Sequence, residues 1–513
     1  MFLTETDLIN MKITIAARIN NSNIIRDLIK DDVLSAQKER MAEGEKYYVG
    51  ENDVLKKDFR KAYIAEGESD KRDEDNVEYR AFYNPGRSNH HNVNNFHETL
   101  VDQKSAYLVS REPTITVKDA EKNTDAKAYE NLITGFADED FNDKLNELVI
   151  GASNKGIEVI HFYYNEDAEL KYCIVPANEC IPVYDTAYQN ELVEFIRYYD
   201  ITVLKGEEKY RRKRVEWWTK TDVTYYAEDE NGFFLLDGGH PINPAPHWFE
   251  VTFINDKQAH KEPHSWGRVP FVILKNNTKQ TSDLQKVKSL IDAYDLISSQ
   301  GTNDLLDLVT LYWSIQGYGG EAASAIAKKL QINRAVNVSD TQGSINAHQI
   351  DLPVAGRVEW LKMLRRDIFH FGMGVDTDND KLGNASGVSL KFQYTQLDLK
   401  ANAMLPKLKK AIKEMLWFFT DDYNRTNGTD YNSDDIDVTI NKTMITNDAE
   451  TVSMITQSKG IVSDKTLLEH HPFVDDANAE LKELEAQQEK EMQKYADYVA
   501  ANKQITPDGG GDE

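Results

Sequence analysis

Three aspartates spaced two apart, Asp376, Asp378 and Asp380, are the arrangement in this sequence that comes nearest to a metal site. Alternate carboxylates on a loop can converge on a hard cation such as calcium. An EF-hand loop starting at Asp376 needs glycine at its sixth position and a bidentate glutamate at its twelfth, where this chain has Lys381 and Gly387. The stretch from Asp376 to Gly387, with Asn379 and Asn384 inside it, therefore reads as a polar, solvated loop, and no metal is expected. His90, His91 and His97, and His240, His247, His260 and His264, show neither HExxH spacing nor partner cysteines. They read as ordinary surface or core histidines. There is no GxxxxGKS/T phosphate loop and no GxSxG elbow. The chain is expected to be no enzyme and to need no cofactor. One basic island, Lys209-Tyr210-Arg211-Arg212-Lys213-Arg214, lies before a strand carrying Trp217 and Trp218. It reads as a charged hairpin edge that blocks aggregation, with a nucleic-acid patch as the alternative.

Composition narrows the field further. At 513 residues the chain is long enough for three or four units of roughly 100–200 residues each. Hydrophobic residues make up 40% and aromatics 10%, which is enough for real cores. Acidic residues outnumber basic ones 86 to 60, for a formal charge of -26. A broad DNA-gripping face needs the opposite balance, so any DNA is touched at small local sites or kept from sticking. No run of 18 apolar residues suggests a membrane span, and Met1 to Asp7 lacks a signal-peptide pattern. Cys173 and Cys180 read as buried thiols of a protein made in a reducing cytosol.

Periodicity predicts the elements. Residues 1–75 read mostly as helix, with Ile24, Leu28, Ile29 and Val33 on one stripe and a solvated loop at 71–76. Phe96, Leu100, Val101 and Tyr107 predict an amphipathic helix ending near Pro113. From about 155 to 275 the pattern is that of antiparallel strands, as in Ile157–Tyr164, Glu194–Tyr199, Val215–Trp218 and Val223–Tyr226. Leu284, Val287, Ile291 and Tyr294 then form a helical stripe, with Ser282 or Asp283 as its N-cap. A second stripe runs through Val354, Val358, Leu361, Leu364, Ile368 and Phe371. The insert between them reads as a strand at Leu308–Ile315, a short helix at Ala322–Leu330 and a strand at Arg334–Val338. Val388–Phe419 is a long helical stretch that Pro406 should kink or split. Ile436, Val438 and Ile440 start a strand, and the acidic end carries a charged helix at Leu481–Tyr498. The fold class is α+β, mainly helical and multidomain.

Certain stretches, taken in order, resemble the portal (head-to-tail connector) proteins of tailed bacteriophages, siphophage type. They are Asn94–Lys104 before Tyr107-Leu108-Val109, then Ser153–Glu158, Trp266–Pro270, Ser282-Asp283-Leu284 with Leu290–Asp295, and Leu397–Asn402. The resemblance implies a dodecameric ring at one capsid vertex, built from wing, stem, clip and crown around a channel. Double-stranded viral DNA would be packaged and ejected through it. It implies an N-terminal region and α/β wing at 1–281, stem helices at 282–306 and 352–373, and a clip at 307–351. A tunnel loop would span 374–387, a long wing/crown helix 388–424, a crown 425–478, and an acidic C-terminal helix and tail 479–513. Asp376, Asp378, Asn379, Asp380, Lys381 and Asn384 would face the DNA channel, sealing it by position and flexibility, with glycines 374, 383 and 387 freeing the backbone. Tyr312, Trp313 and Tyr318 would touch partners at the clip. The implied partners are the terminase large subunit, major capsid and scaffolding proteins, and head-tail adaptor proteins, with no membrane. The protein would sit in the virion at the portal vertex after assembly in the host cytoplasm. The competing readings are a channel-less scaffold or tail protein, and a metal-dependent DNA-processing enzyme using the three aspartates.

Overall fold

The computed structural model describes residues 3–4, 6–7, 22–65, 79–83, 87–120, 122–187, 191–206, 208–254, 257–307, 312–316, 344–348, 354–377, 387–443, 448–474 and 477–503. The chain divides into one unit of residues 1–376 with 396–443, and a second of 377–395 with 444–513. The expected helix at 322–330 and strand at 334–338 lie outside the described residues.

The first unit opens with β1 (Leu3–Thr4), α1 (Ser22–Val33) and α2 (Ala36–Tyr48), where the Ser35 hydroxyl caps α2 by accepting from the Lys38 N–H. The expected helix gives way to strand by Lys61, and 66–78, with the expected loop at 71–76, lie outside the described residues. β2 (Lys61–Ala65) and β3 (Tyr79–Tyr83) pair antiparallel instead. A stretch without regular structure, 87–95, leads into α3 (Phe96–Val109), close to the bounds expected from its stripe. β4 (Thr114–Val117), α4 (Thr124–Phe136) and α5 (Glu139–Lys155) follow. α5 is bounded by its own chemistry. Asp138 accepts from the Phe141 N–H at 3.0 Å, Glu139 and Asp140 lie at the positive end of the helix dipole, and Gly156 closes it at φ 90°. A Cβ on Gly156 would also stand 2.3 Å from the Gln280 carbonyl oxygen, so only glycine fits.

Next come β5 (Ile157–Tyr164), β6 (Leu170–Val175), β7 (Cys180–Tyr184), β8 (Leu192–Lys205), β9 (Glu208–Trp218), β10 (Asp222–Glu228), β11 (Phe234–Leu236), β12 (Ala245–Pro246), β13 (Trp248–Ile254), β14 (Lys257–His264) and β15 (Phe271–Lys275). The larger sheet runs β1-β7-β8-β9-β10-β11 with β12 beside β10, a smaller one runs β15-β5-β6, and β13 and β14 form a hairpin. Alternation explains the sheet's two cores. Ile196 and Trp217 pack with Ile25, Leu28 and Ile29 of α1, whereas Phe195 and Trp218 point the other way, into a cluster with Met41, Val159 and Phe271. The basic island is part of β9, not a lead-in to it. Its residues 209–213 pair with β8 alone, because β10 reaches only from Trp218 to Arg214. Lys213 faces Asp200 across that hairpin with an ion pair of 2.8 Å.

A turn at Asp283–Lys286, capped by the Ser282 hydroxyl accepting from Leu284 N–H at 3.0 Å, precedes α6 (Lys288–Asp307). β16 (Tyr312–Gln316) and β17 (Ser344–His348) pair antiparallel, and α7 (Val354–Gly372), α8 (Gly387–Asn427) and β18 (Ile436–Thr439) follow, β18 pairing with β4. Val287 and Ile291 pack with Tyr47, Phe96, Leu100, Leu284, Ile368 and Phe369 in a third core. Pro406 does not split α8, which is one element through it. A helix-interior proline costs about 3 kcal/mol. Met404, Leu408, Ile412, Met415 and Leu416 are fully buried on one face, each contributing about 1.5–3 kcal/mol, while Pro406 sits on the exposed side. In the second unit, α9 (Asp448–Gln457), α10 (Asp464–Glu469) and the charged α11 (Ala477–Lys503) follow, and the Ser463 hydroxyl caps α10.

Candidate functional site

Of the residues expected to line a channel, Asp376 is described, whereas Asp378, Asn379, Asp380, Lys381 and Asn384 lie outside the described residues. Tyr312 and Trp313 fall on β16, opposite His348 and Ala347 of β17, and Tyr318 lies outside the described residues. What the structure does describe is the root from which the 378–386 segment departs.

α7 stops because Met373 takes a left-handed conformation, φ 57°, while the Gly374 N–H reaches back to the Phe369 carbonyl at 2.9 Å. Gly374 is not there for freedom, as its sequence context suggested. A Cβ on it would lie 2.3 Å from Leu100 Cδ2, so the glycine lets α3 approach. Gln103 of α3 then grips the next residue from both sides: it donates to the Val375 carbonyl at 2.7 Å and accepts from the Val375 N–H at 2.9 Å. Asp376 is held by Arg365 of α7, whose Nη2 and Nε donate to its Oδ1 at 2.8 and 3.1 Å. Its carboxylate is thus engaged inside the fold.

Beneath this root lies a buried charge cluster. Lys104 of α3 donates to Ser153 Oγ at 3.0 Å, to Asp283 Oδ2 at 3.1 Å and to Asn276 Oδ1. Lys400 of α8 pairs with the same Asp283 oxygen at 3.2 Å and donates to the Gly372 carbonyl at 3.0 Å. Asn276 donates to Asp283 Oδ1 at 2.9 Å, so both carboxylate oxygens are occupied. Burial alone would raise the Asp283 carboxyl, but two ammonium groups hold it well below the usual carboxylate range. Burial pushes the Lys104 ammonium down to about 8 against the pull of Asp283. His97, one turn before Val101 and fully buried, is pushed down to about 4 by burial and is neutral.

This geometry supports positioning, not chemistry. Lys400 belongs to α8, the helix after the 378–386 segment, and reaches Gly372 at the end of α7, the helix before it, so one side chain ties the two flanking helices. Among the described residues no group of three or more His, Cys, Asp or Glu side chains is arranged to hold a metal ion. Among them, too, no helix is long and apolar enough to cross a membrane. The cluster escaped the sequence reading. Its signal was present: Lys104 falls on the buried face with Leu100, Val101 and Leu108, and Lys400 with Leu397, Ala401 and Met404. A lysine inside an apolar helical stripe needs a buried partner.

The family model described as phage portal protein, SPP1 Gp6-like, matches residues 27–494. The portal protein of Bacillus phage SPP1 is 32% identical over 480 residues, covering 93% of this chain and 87% of that protein. The portal protein of Clostridium phage phiCD119 is 30% identical over 472 residues, covering 88% of this chain and 93% of the relative.

Charge counting within the cluster orders two substitutions. Asp283→Asn leaves two buried ammonium groups without a counter-charge and is expected to destabilise the chain by about 3–5 kcal/mol in chemical unfolding. Lys400→Met leaves one cation facing one anion and is expected to cost distinctly less; the reverse order would contradict the shared-carboxylate arrangement. The second test uses pH. The neutral state of His97 contributes stability that is fully present above about pH 6.5 and is lost as the pH falls towards about 4. Wild type is therefore expected to lose roughly 2–3 kcal/mol relative to His97→Gln between pH 6.5 and 4.5 in urea titrations.

Proposed function

The chain belongs to the phage portal proteins of the SPP1 Gp6-like family, a structural, non-catalytic component of the virion at the capsid, and from that premise we propose how this chain builds its portal. Twelve copies close into a ring at one capsid vertex, and double-stranded DNA passes through the hole during packaging and ejection. Residues 1–281 supply the N-terminal region and wing, 282–306 and 352–373 the stem, 307–351 the clip and 374–387 the tunnel loop. The helix at 388–424 joins wing to crown, 425–478 is the crown, and 479–513 the acidic end. The clip, with Tyr312, Trp313 and Tyr318, docks the terminase large subunit and later the adaptor proteins. Capsid and scaffolding proteins surround the wing, and the ring is assembled in the host cytoplasm.

The observation that carries the ring is the outward stripe of the stem. Leu364 and Ile368 are buried within the chain, but Val354, Val358, Trp360 and Phe371 of α7 and Leu305 and Leu306 of α6 are exposed. Half of the stripe expected to be a core face has no cover among the described residues. Identical neighbours in a cyclic ring supply that cover, because each contributes one face to the copy before it and another to the copy after it. The acidic balance of the chain suits the same reading. A channel that held every phosphate tightly would stall transport, so a mostly acidic ring lets the duplex slide. The anchored root supports a sealing loop: Gln103 and Arg365 hold Val375 and Asp376 just before the 378–386 segment, Lys400 holds Gly372 at the end of α7, and the segment seals around the duplex by position, with Lys381 its sole lysine.

Two outcomes test this reading. Trp360→Asp is expected to leave the helical content unchanged while shifting the sedimentation profile from the ring towards smaller species; an unchanged profile would remove the stripe from the interface. Deletion of 378–384, which spares the root, is expected to give rings that assemble but particles that package poorly or leak DNA. Normal filling and retention would remove the sealing role.

A further inference from the structure

The inner face of α6 changes character halfway along. Its first turns bury Ile291, whereas Asp295, Ser299 and Asn303, each four residues on, are fully buried polar groups. Against them runs the stretch 87–95. The Asn94 N–H donates to Asp295 Oδ1 at 3.1 Å, the Asn92 N–H to Ser299 Oγ at 2.9 Å, the His90 N–H to Asn303 Oδ1 at 2.7 Å and the Ser88 N–H to Asp307 Oδ1 at 2.9 Å. Every second backbone N–H meets every fourth helix side chain, in antiparallel order. The two periods match: four helical residues rise about 6.0 Å and two extended residues about 6.6 Å. The stretch is thus a strap laddered onto the helix by its backbone, which satisfies donors that no strand partner covers.

The ladder is fastened unequally. At one end the fully buried Asp295 accepts from Asn94 Nδ2 at 2.8 Å and from the buried Asn52 Nδ2 at 2.6 Å as well as from the backbone. The middle rungs are reinforced, Asn92 Nδ2 donating to Thr302 Oγ1 at 2.6 Å and Asn303 Nδ2 to the His90 carbonyl at 2.9 Å. At the other end the holding groups are half-exposed ions. Arg87 lies 3.5 Å from Asp304 and 3.7 Å from Asp307, and Arg357 of α7 pairs with Asp304. Ion pairs of that kind are weak and screened by salt, whereas hydrogen bonds from neutral amides to a buried acceptor are not.

We propose that the strap is a one-ended fastening, fixed at Asn94–Asp295 and released by competing ions at Ser88–Asp307, which lets the last two turns of α6 shift while its first turns stay locked. The releasable end is the one that hands over to residues 308–351. Displacement of the end of α6 is thereby separated from the Val287–Ile291 core, and an anion that draws Arg87 or Arg357 away from Asp304 and Asp307 loosens only that end. The fastening acts within one chain, so it stands whether or not copies close into a ring.

Amide hydrogen exchange on the full-length protein, read at single residues between about 0.1 M and about 1 M salt, tests it, because the Debye length falls there from about 10 to about 3 Å. Exchange at Ser88 and His90 is expected to quicken roughly three- to tenfold, as loss of several exposed ion pairs implies, with Asn92 and Asn94 unchanged. Arg87→Gln is expected to give the fast rates already at low salt and to abolish the salt response. Asn52→Leu is expected to speed Asn94 and not Ser88. All four amides quickening together, none responding, or Asn94 responding before Ser88 would each overturn the one-ended fastening.

Discussion

One aspartate shared by two buried lysines sets the terms for everything around it. A buried carboxylate with its oxygens satisfied by Lys104, Lys400 and Asn276 is tolerable only if all three arrive together. The lysines come from α3 and α8, Asn276 follows directly on β15, and Asp283 opens the turn before α6, so the cluster obliges elements distant in sequence to meet at one point. The close approach of Leu100 to Gly372 and Gly374 follows, as does the two-sided grip of Gln103 on Val375. The root of the 378–386 segment is in that sense a by-product of satisfying Asp283.

The α6–α7 pair divides its faces by the same logic. Where α6 and α7 meet the α3 helix, the contact is apolar, through Val287, Ile291 and Ile368. Where α6 meets the strap, the contact is a polar ladder, because an irregular backbone brings N–H groups that must find acceptors. What remains outside is apolar again, around Trp360 and Leu305. A helix pair with one apolar face spent inward and another left outward is suited to life beside copies of itself. That arrangement is what supports the proposed ring.

Strands and most helices were readable from periodicity because their cores are simple: Phe195 and Ile196, like Trp217 and Trp218, go to opposite faces by plain alternation. Ser282 was readable as a cap because its chemistry is local. Features decided by partners distant in sequence were not. Pro406 breaks a helix on propensity alone, but five buried side chains around it hold α8 together. The basic island looked like the approach to a strand, yet cross-strand pairing with β8 draws it in. Asp376 looked like a solvated acid until Arg365, eleven residues earlier, was found holding it. Asp295, Ser299 and Asn303 interrupt the apolar stripe of α6, and only the strap explains why. The ordered resemblance to portal proteins was the one sequence signal that reached function, and the family match and both relatives agree with it.

The central claim is that copies of this chain stand side by side around a hole wide enough for a duplex. Electron micrographs of the purified full-length protein test it most directly. The account expects end-on views with a stain-filled centre and a rotational symmetry close to twelvefold. Compact single particles without a central hole, under every assembly condition, would contradict it.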